Sequence, residues 1–339
     1  MIEALSLILS IFLINIFFKK KNILPNTTGQ FHQIYNQEYK VPLSGGIFII
    51  CFFYLNYKYF EITLIIYFTI FFLFGLFTDL NYIKSPTYRF LAQILLLILF
   101  ITHFEIAIYD VRIDFINNLL ENYYFNIFFV LFCFLVLING SNFMDGNNGI
   151  SLGYFLIIFS LILNLINKNF IYYDEFFFNS FIIILTILLF FNLFNQLYLG
   201  DSGVYLLSLF SGYILIDIFL QNQGISPYFI ANVFWYPAFE ILFSLIRKIK
   251  SNYSPLKPDT LHFHQILFHF YLKNINFSKT LLNSITGLTI NIYNGLILYF
   301  ASIHINNTKL QLMVLIFSLI FYLIIYYILL RYKNLSKKV

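Results

Sequence analysis

At 339 residues the chain is long enough for two soluble domains, but 60% hydrophobic and only 10% charged residues leave too little polar surface for a water-soluble globule. A net charge of +5, dispersed along the chain, is too weak for a nucleic-acid surface, and no nucleic-acid partner is expected. The bilayer is the natural solvent.

A membrane span needs about 20 mostly apolar residues. Candidate spans, in chain order, are residues 2–18, 41–57, 60–77, 88–104, 123–138, 150–167, 177–194, 202–220, 226–246, 281–303 and 310–330. The fold expected is therefore an all-α integral membrane protein, one polytopic domain over 1–339 with about 11 transmembrane helices. Lys19, Lys20 and Lys21 follow the first apolar stretch, and no small-residue cleavage site comes after them. This pattern suits a retained helix with its amino end outside. Cys51 and Cys133 sit within apolar runs and read as packing residues.

From that orientation, eleven spans divide the connections into two sets. Sixteen of the twenty basic residues fall in the inside set, and only Lys58, Arg112, Lys168 and Lys309 fall outside. Lys84, Arg89, Arg247, Lys248 and Lys333 are among the inside residues, as the positive-inside rule requires, and the carboxyl end is expected to be cytoplasmic. Adding or removing one span would scramble this partition. The inside loops 19–40, 78–88, 139–149, 195–201 and 247–280 are expected to form one active-site face.

Four inside segments carry isolated polar groups. Gly75 to Leu80, followed by Lys84, Ser85, Pro86 and Arg89, places Asp79 at the mouth of the third span. Asn139 to Gly149 spaces Asn139, Asn142 and Asp145 three apart, on one face of a helix. Leu199 to Gly203 sets Asp201 in a glycine-flexed turn opening the eighth span, where exposed backbone N–H groups favour anions. Ser254 to His264 ends in His262-Phe263-His264, within the longest and most basic inside loop.

Taken singly, each has a plain structural reading: Asp79 as a helix cap, Asn-Gly and Asp-Gly as turn residues, histidines as interfacial groups, the last including His103, His269 and His304. Four such clusters on one face ask for more, because ionisable groups at membrane depth are costly and usually line a site. Hard oxygen donors such as Asp201 and Asn142 suit Mg²⁺, which completes its shell with phosphate and water. Cations and imidazoles of the 247–264 loop could clamp phosphate oxygens. Asp79 could assist an attacking group in phosphoryl transfer. Two histidines without a cysteine make Zn²⁺ a poor alternative. A transporter would place its ionisable groups near the midplane, whereas the apolar spans are nearly free of charge, Asp217 and Glu240 being the notable exceptions.

The order of these clusters, from about Gly29 to His264, resembles the polyprenyl-phosphate N-acetylhexosamine-1-phosphate transferases of glycosyltransferase family 4. Pro42 to Gly46 is similar to the family's early glycine pair. Thr78-Asp79 with Ser85-Pro86, Arg89 and Gln93 is similar to its first aspartate segment. Asn139 to Gly149 resembles N-x-x-N-x-x-D-G, Gly200 to Gly203 resembles G-D-S-G, and His262 to His264 resembles H-x-H. The resemblance implies a bundle of ten or eleven helices in a bacterial cytoplasmic membrane, with the active site facing the cytoplasm.

The implied reaction is attack of undecaprenyl phosphate on the β-phosphate of a UDP-N-acetylhexosamine, releasing UMP and initiating a lipid-linked surface glycan such as an O-antigen. Mg²⁺ would be the cofactor, with Mn²⁺ able to replace it, held by Asp201 and Asn142. Asp79 and Asp201 would be catalytic. Asn139, Asp145, Asn148, His262, His264, Arg89 and Lys84 would bind substrate. Besides the sugar nucleotide, the lipid phosphate and the bilayer, a second copy of the chain, as a homodimer, is an open partner.

Two positions depart from the pattern. Thr78 replaces the first residue of the paired aspartates, so a general-base role for that residue does not transfer, and Asn148 replaces a second-site aspartate. A catalytically impaired homologue is therefore an alternative. The peptidoglycan translocase type, a phospho-N-acetylmuramoyl-pentapeptide transferase, is another. Val41 to Gly46, Leu80-Asn81-Tyr82 and the two histidines lack its usual features and favour a UDP-GlcNAc-type donor.

Overall fold

The computed structural model describes residues 2–25, 41–168, 170, 173–252, 254 and 260–335. Lys40, Lys257, Asp259, Lys337, Lys338, most of the 19–40 loop and residues 255–259 of the 247–280 loop lie outside the described residues. Among the described residues the architecture is all helical: α1 Ile2–Lys21, α2 Gly45–Leu55, α3 Ile62–Asp79, α4 Pro86–His103, α5 Asp114–Leu120, α6 Tyr123–Met144, α7 Ile150–Asn167, α8 Glu175–Leu193, α9 Gly200–Gln221, α10 Pro227–Val233, α11 Trp235–Lys250, α12 Phe263–Asn274, α13 Lys279–Ile303 and α14 Thr308–Leu335.

A helix occupies each expected span, and the polytopic reading holds. Among the described residues eight helices are long and apolar enough to cross a membrane: α3, α4, α6, α7, α8, α9, α13 and α14. The α10–α11 pair, bent by 73° at the break between them, reaches that length and apolarity only when its two helices are taken together. At 11 residues α2 is about 16 Å long, roughly half the hydrocarbon thickness, so the expected second span is only a half-length helix. Large side chains such as Phe128, Ile292, Phe317 and Ile324 stay exposed on the helix surfaces. This apolar exterior suits lipid.

Helix ends carry their own stop and start chemistry. Asn122 accepts the amides of Tyr124 and Phe125 to open α6, Asp174 accepts that of Phe177 at α8, and Ser278 accepts that of Leu281 at α13. Pro86 and Pro227 open α4 and α10, where a missing N–H costs nothing. The α10–α11 break follows from Pro237, which cannot donate to the carbonyl four residues earlier, Val233. The Tyr154 hydroxyl donates to that carbonyl instead, at 2.9 Å. Asn232 beside the break donates to the backbone and side-chain oxygens of Gln311 on α14, at 2.9 and 2.8 Å.

Central in the bundle is α9, buried along most of its length. Phe210 at its middle meets Phe53 of α2, Phe159 of α7 and Phe181 of α8 at ring separations of 4.9, 5.2 and 5.5 Å. Near its start α9 is crossed by α3 so closely that a Cβ on Gly75 would lie 2.4 Å from the Ser202 Cα. Residues 42–46 join the same junction, the amides of Gly45 and Gly46 donating to the carbonyls of Tyr198 and Leu199.

The helices alternate in direction, so their ends form two groups. One end gathers the close of α3, α6, α8, α11 and α14 with the start of α4, α7, α9, α12 and α13. The other joins Arg112 to Thr308 and to the carbonyls of Gly224 and Ile225. Placing Leu at Gly75 inserts a branched side chain where backbone already sits. Overpacking costs about 1–3 kcal/mol or more. We expect Gly75→Leu to lower the melting temperature of the detergent-solubilised protein and broaden its size-exclusion peak; an unchanged melt would contradict this crossing.

Candidate active site

Asp79 is the last residue of α3, and both of its carboxylate oxygens take backbone amides from the start of α9: Oδ1 from Asp201 at 2.8 Å and Oδ2 from Ser202 at 3.1 Å. It does cap a helix, though not its own. The amides it accepts are among those a helix N-terminus leaves unpaired, where the helix dipole also favours an anion. Gly200 turns the chain into this arrangement at φ +75, and a Cβ there would lie 2.7 Å from Asp79 Oδ2. Only glycine suits both the left-handed backbone and the close carboxylate.

Asp201, the first residue after that glycine, leans toward Arg89 of α4, whose Nη1 is 3.6 Å from Oδ2. Arg89 is itself oriented by a 2.8 Å bond from Nε to the Ile83 carbonyl. Asn142 near the end of α6 and Tyr205 one turn along α9 lie against the Asp201 carboxylate. Asn142 also donates to the Tyr205 hydroxyl at 3.3 Å. Tyr205 stacks on Phe74 of α3, with centroids 5.7 Å apart.

Asp145 follows α6 at its C-cap, near enough to Asp201 for the two charges to interact. Burial pushes its carboxyl up to about 7, the Asp201 charge adding to the rise and the Ser151 hydroxyl opposing it. Asn139, one turn before Asn142, donates to Gln93 Oε1 at 2.9 Å, which ties α6 to α4. Met144 and Asp145 lead into Gly146, which lies so close to His264 that a Cβ would sit 2.3 Å from Nε2.

His262 and His264 open α12 with their rings parallel, 5.7 Å apart, and the Phe143 ring of α6 lies 5.4 Å from His262. Lys248 of α11 has its ammonium 5.9 Å from the same Phe143 ring. The group also contains the buried Glu240 of α11. Its Oε2 lies 3.3 Å from His262 Nδ1, while Oε1 accepts the Phe263 amide at 3.3 Å and the Tyr322 hydroxyl at 2.7 Å.

Of the residues singled out from the sequence, Asp79, Arg89, Asn139, Asn142, Asp145, Asp201, His262 and His264 therefore lie in one connected cluster at one end of the bundle. Lys84 is exposed on the connection between α3 and α4. Asn148 is turned into the packing: its amide donates to Asn195 Oδ1 at 2.5 Å, and its carbonyl lies against Gly287 of α13. Thr78 donates its hydroxyl to the Phe74 carbonyl at 3.1 Å, within its own helix. Glu240 and Tyr205 also belong to the cluster, beyond the site residues that the sequence points to. For Glu240 the signal was its charge within an apolar span; Tyr205 gave none among 27 tyrosines.

Residues 61–219 match the model of glycosyl transferase family 4. The match spans just under half of the chain and includes Asp79, Arg89, Asn139, Asn142, Asp145 and Asp201. It ends before Glu240 and the histidine pair. No curated protein matches the chain significantly. Six of the eight clustered residues named above therefore lie within the matched range, and His262 and His264 lie beyond it.

Among the described residues no three acidic, histidine or cysteine side chains are arranged to hold a metal ion on their own. A raised Asp145 carboxyl has a consequence for stability. Its proton is bound more tightly in the folded than in the unfolded chain, where an Asp titrates near 3.9, so it works against folding increasingly as pH rises from about 4 to about 7. In EDTA, Asp145→Asn is expected to melt above the parent at pH 8, the gap closing as pH falls toward 4; a gap independent of pH would contradict the assignment.

Proposed function

We propose that this protein transfers an N-acetylhexosamine-1-phosphate from a UDP-sugar to undecaprenyl phosphate, releasing UMP, at the cytoplasmic face of a bacterial membrane. The observation that carries the reading is the convergence of Asp201, Asn142, Asp145 and Arg89 at one helix-end cluster inside the family 4 region. The enclosure of His262 and His264 against the same α6 segment adds the imidazoles expected near a sugar nucleotide. The partition of basic residues supports a cytoplasmic position for this end.

The donor set fits Mg²⁺. Asp201 and Asn142 offer hard oxygens side by side, and a magnesium ion takes few protein ligands, filling its shell with water and substrate phosphates. When bound, the ion would neutralise charge on the diphosphate as the UMP leaving group departs. Arg89 adds a fixed cation for phosphate oxygens next to the Asp201 carboxylate. Asp79 holds Asp201 in place through the backbone, and its carboxylate faces the acceptor side of the cluster in this scheme. Lys84, Asn139 and Asp145 complete the substrate contacts, with Asn148 contributing through the shape of the 139–149 turn.

A binding-only homologue is the second reading. It is favoured by the Thr78 hydroxyl, which is spent on its own helix where the family pattern has a carboxylate. Detergent-solubilised protein incubated with undecaprenyl phosphate, Mg²⁺ and a panel of UDP-N-acetylhexosamines separates the two by UMP release. We expect release with at least one donor, abolished by EDTA and reduced by about 10²–10³-fold or more in Asp201→Asn, the scale of losing one charge-stabilising group. Tight UDP-GlcNAc binding without UMP would establish the second reading instead.

A further inference from the structure

Glu240 is buried in the α10–α11 pair, within an apolar stretch where an ionised group is costly unless its partners are built around it. Three are. His262, the Phe263 amide and the Tyr322 hydroxyl converge on the two carboxylate oxygens from α12, from its first turn and from α14. An ionised carboxylate only accepts, so the nitrogen facing Oε2 carries the proton and the His262 ring is held with Nδ1–H toward Glu240.

The last helix reinforces the same loop at two further points. The Tyr326 hydroxyl donates to the Leu261 carbonyl at 3.0 Å, and Lys333 Nζ donates to the Thr260 carbonyl at 2.8 Å. Tyr322 and Tyr326 stack in parallel, with centroids 6.0 Å apart, and Phe263 packs on Tyr322 at 4.8 Å. Every one of these contacts lies beyond residue 219, outside the family 4 match.

We infer that Glu240 is a positioning residue for His262, that Tyr322 pins Glu240, and that α14 thereby holds the histidine pair against the α6 segment for contact with the diphosphate of the sugar nucleotide. The inference rests on the transferase reading for the identity of that ligand. Its geometry, a carboxylate orienting an imidazole that meets substrate, belongs to the supporting contacts whose loss typically costs about 10–100-fold in affinity or activity.

A double-mutant cycle on UMP release tests it. Glu240→Gln keeps the side-chain size but removes the charge, and is expected to raise the KM for the UDP-sugar about tenfold while kcat changes by less than about threefold. In a His262→Ala background the same substitution is expected to change kcat/KM by less than about twofold, because the pathway of its effect is already cut. Equal losses in both backgrounds would mark a general structural role and overturn the proposal.

Tyr322→Phe, which leaves the charge in place, provides a second variant if Glu240→Gln does not fold; it is expected to shift KM in the same direction. Nitrogen-15 spectra of histidine-labelled protein, with His262 assigned by its loss in His262→Ala, read the contact directly. We expect a protonated Nδ1 in the parent whose signal moves in Glu240→Gln, and an unmoved signal would refute the contact. If the parent binds UDP-sugar but releases no UMP, the transfer reading fails and the cycle is read on binding. If it neither binds nor turns over UDP-sugar, both readings are overturned.

Discussion

The acidic half of the polar end depends on one carboxylate accepting two backbone amides from another helix. Asp79 closes α3 and completes the hydrogen bonding that the first turn of α9 leaves open, so two helices separated by more than a hundred residues share one terminus. The Ser202 amide is buried and the Asp201 amide part-buried, and leaving a buried amide unpaired costs about 2–7 kcal/mol. The alternative partners are few. The same bond fixes where Asp201 begins, and from Asp201 the positions of Arg89, Asn142, Tyr205 and Asp145 follow by direct contact. Close approach at Gly75 and the left-handed turn at Gly200 are the local conditions that let the carboxylate reach.

A second device acts from the opposite side of the cluster. The break between α10 and α11 redirects the chain, and its loose carbonyl is satisfied by Tyr154 of α7. That redirection brings Glu240 to the base of the histidine pair, where α14 adds Tyr322, Tyr326 and Lys333. The site is thus held between two supports of different chemistry. On one side a carboxylate grips backbone, and on the other hydroxyls and an ammonium grip a carboxylate and a loop.

The sequence made the helical architecture legible because apolar runs of membrane length are long, and because each polar group placed among them is conspicuous. It also made the common face of Asp79, Asn142, Asp145, Asp201 and His262 legible, since alternation of spans decides which ends meet. Partners across the bundle were not legible. Hydrophobic periodicity reports that a residue lies at a helix end, and it is silent on which amides lie opposite, so Asp79 gave no sign of capping α9. Asn148 looked like its neighbours in the 139–149 segment, yet the left-handed Gly149 beside it and the packing of α13 turn its amide toward Asn195. Glu240 stood out by charge alone, and its partners come from helices that follow it in the chain. The half-length α2 was hidden because residues 41–44 are as apolar as a helix start, although their backbone pairs with the segment before α9.

The sharing of one terminus by α3 and α9 also bears on how the protein meets bilayers of different thickness. Transmembrane helices answer a thinner or thicker membrane mainly by tilting. Two helices that cross at Gly75 with backbone in contact, and whose ends are bonded to each other, must tilt together. The acidic cluster is then carried as a rigid tip, and its depth is set by the length of helix beneath it, not by the course of any loop. The helix pair thereby acts as a depth gauge for the acidic cluster.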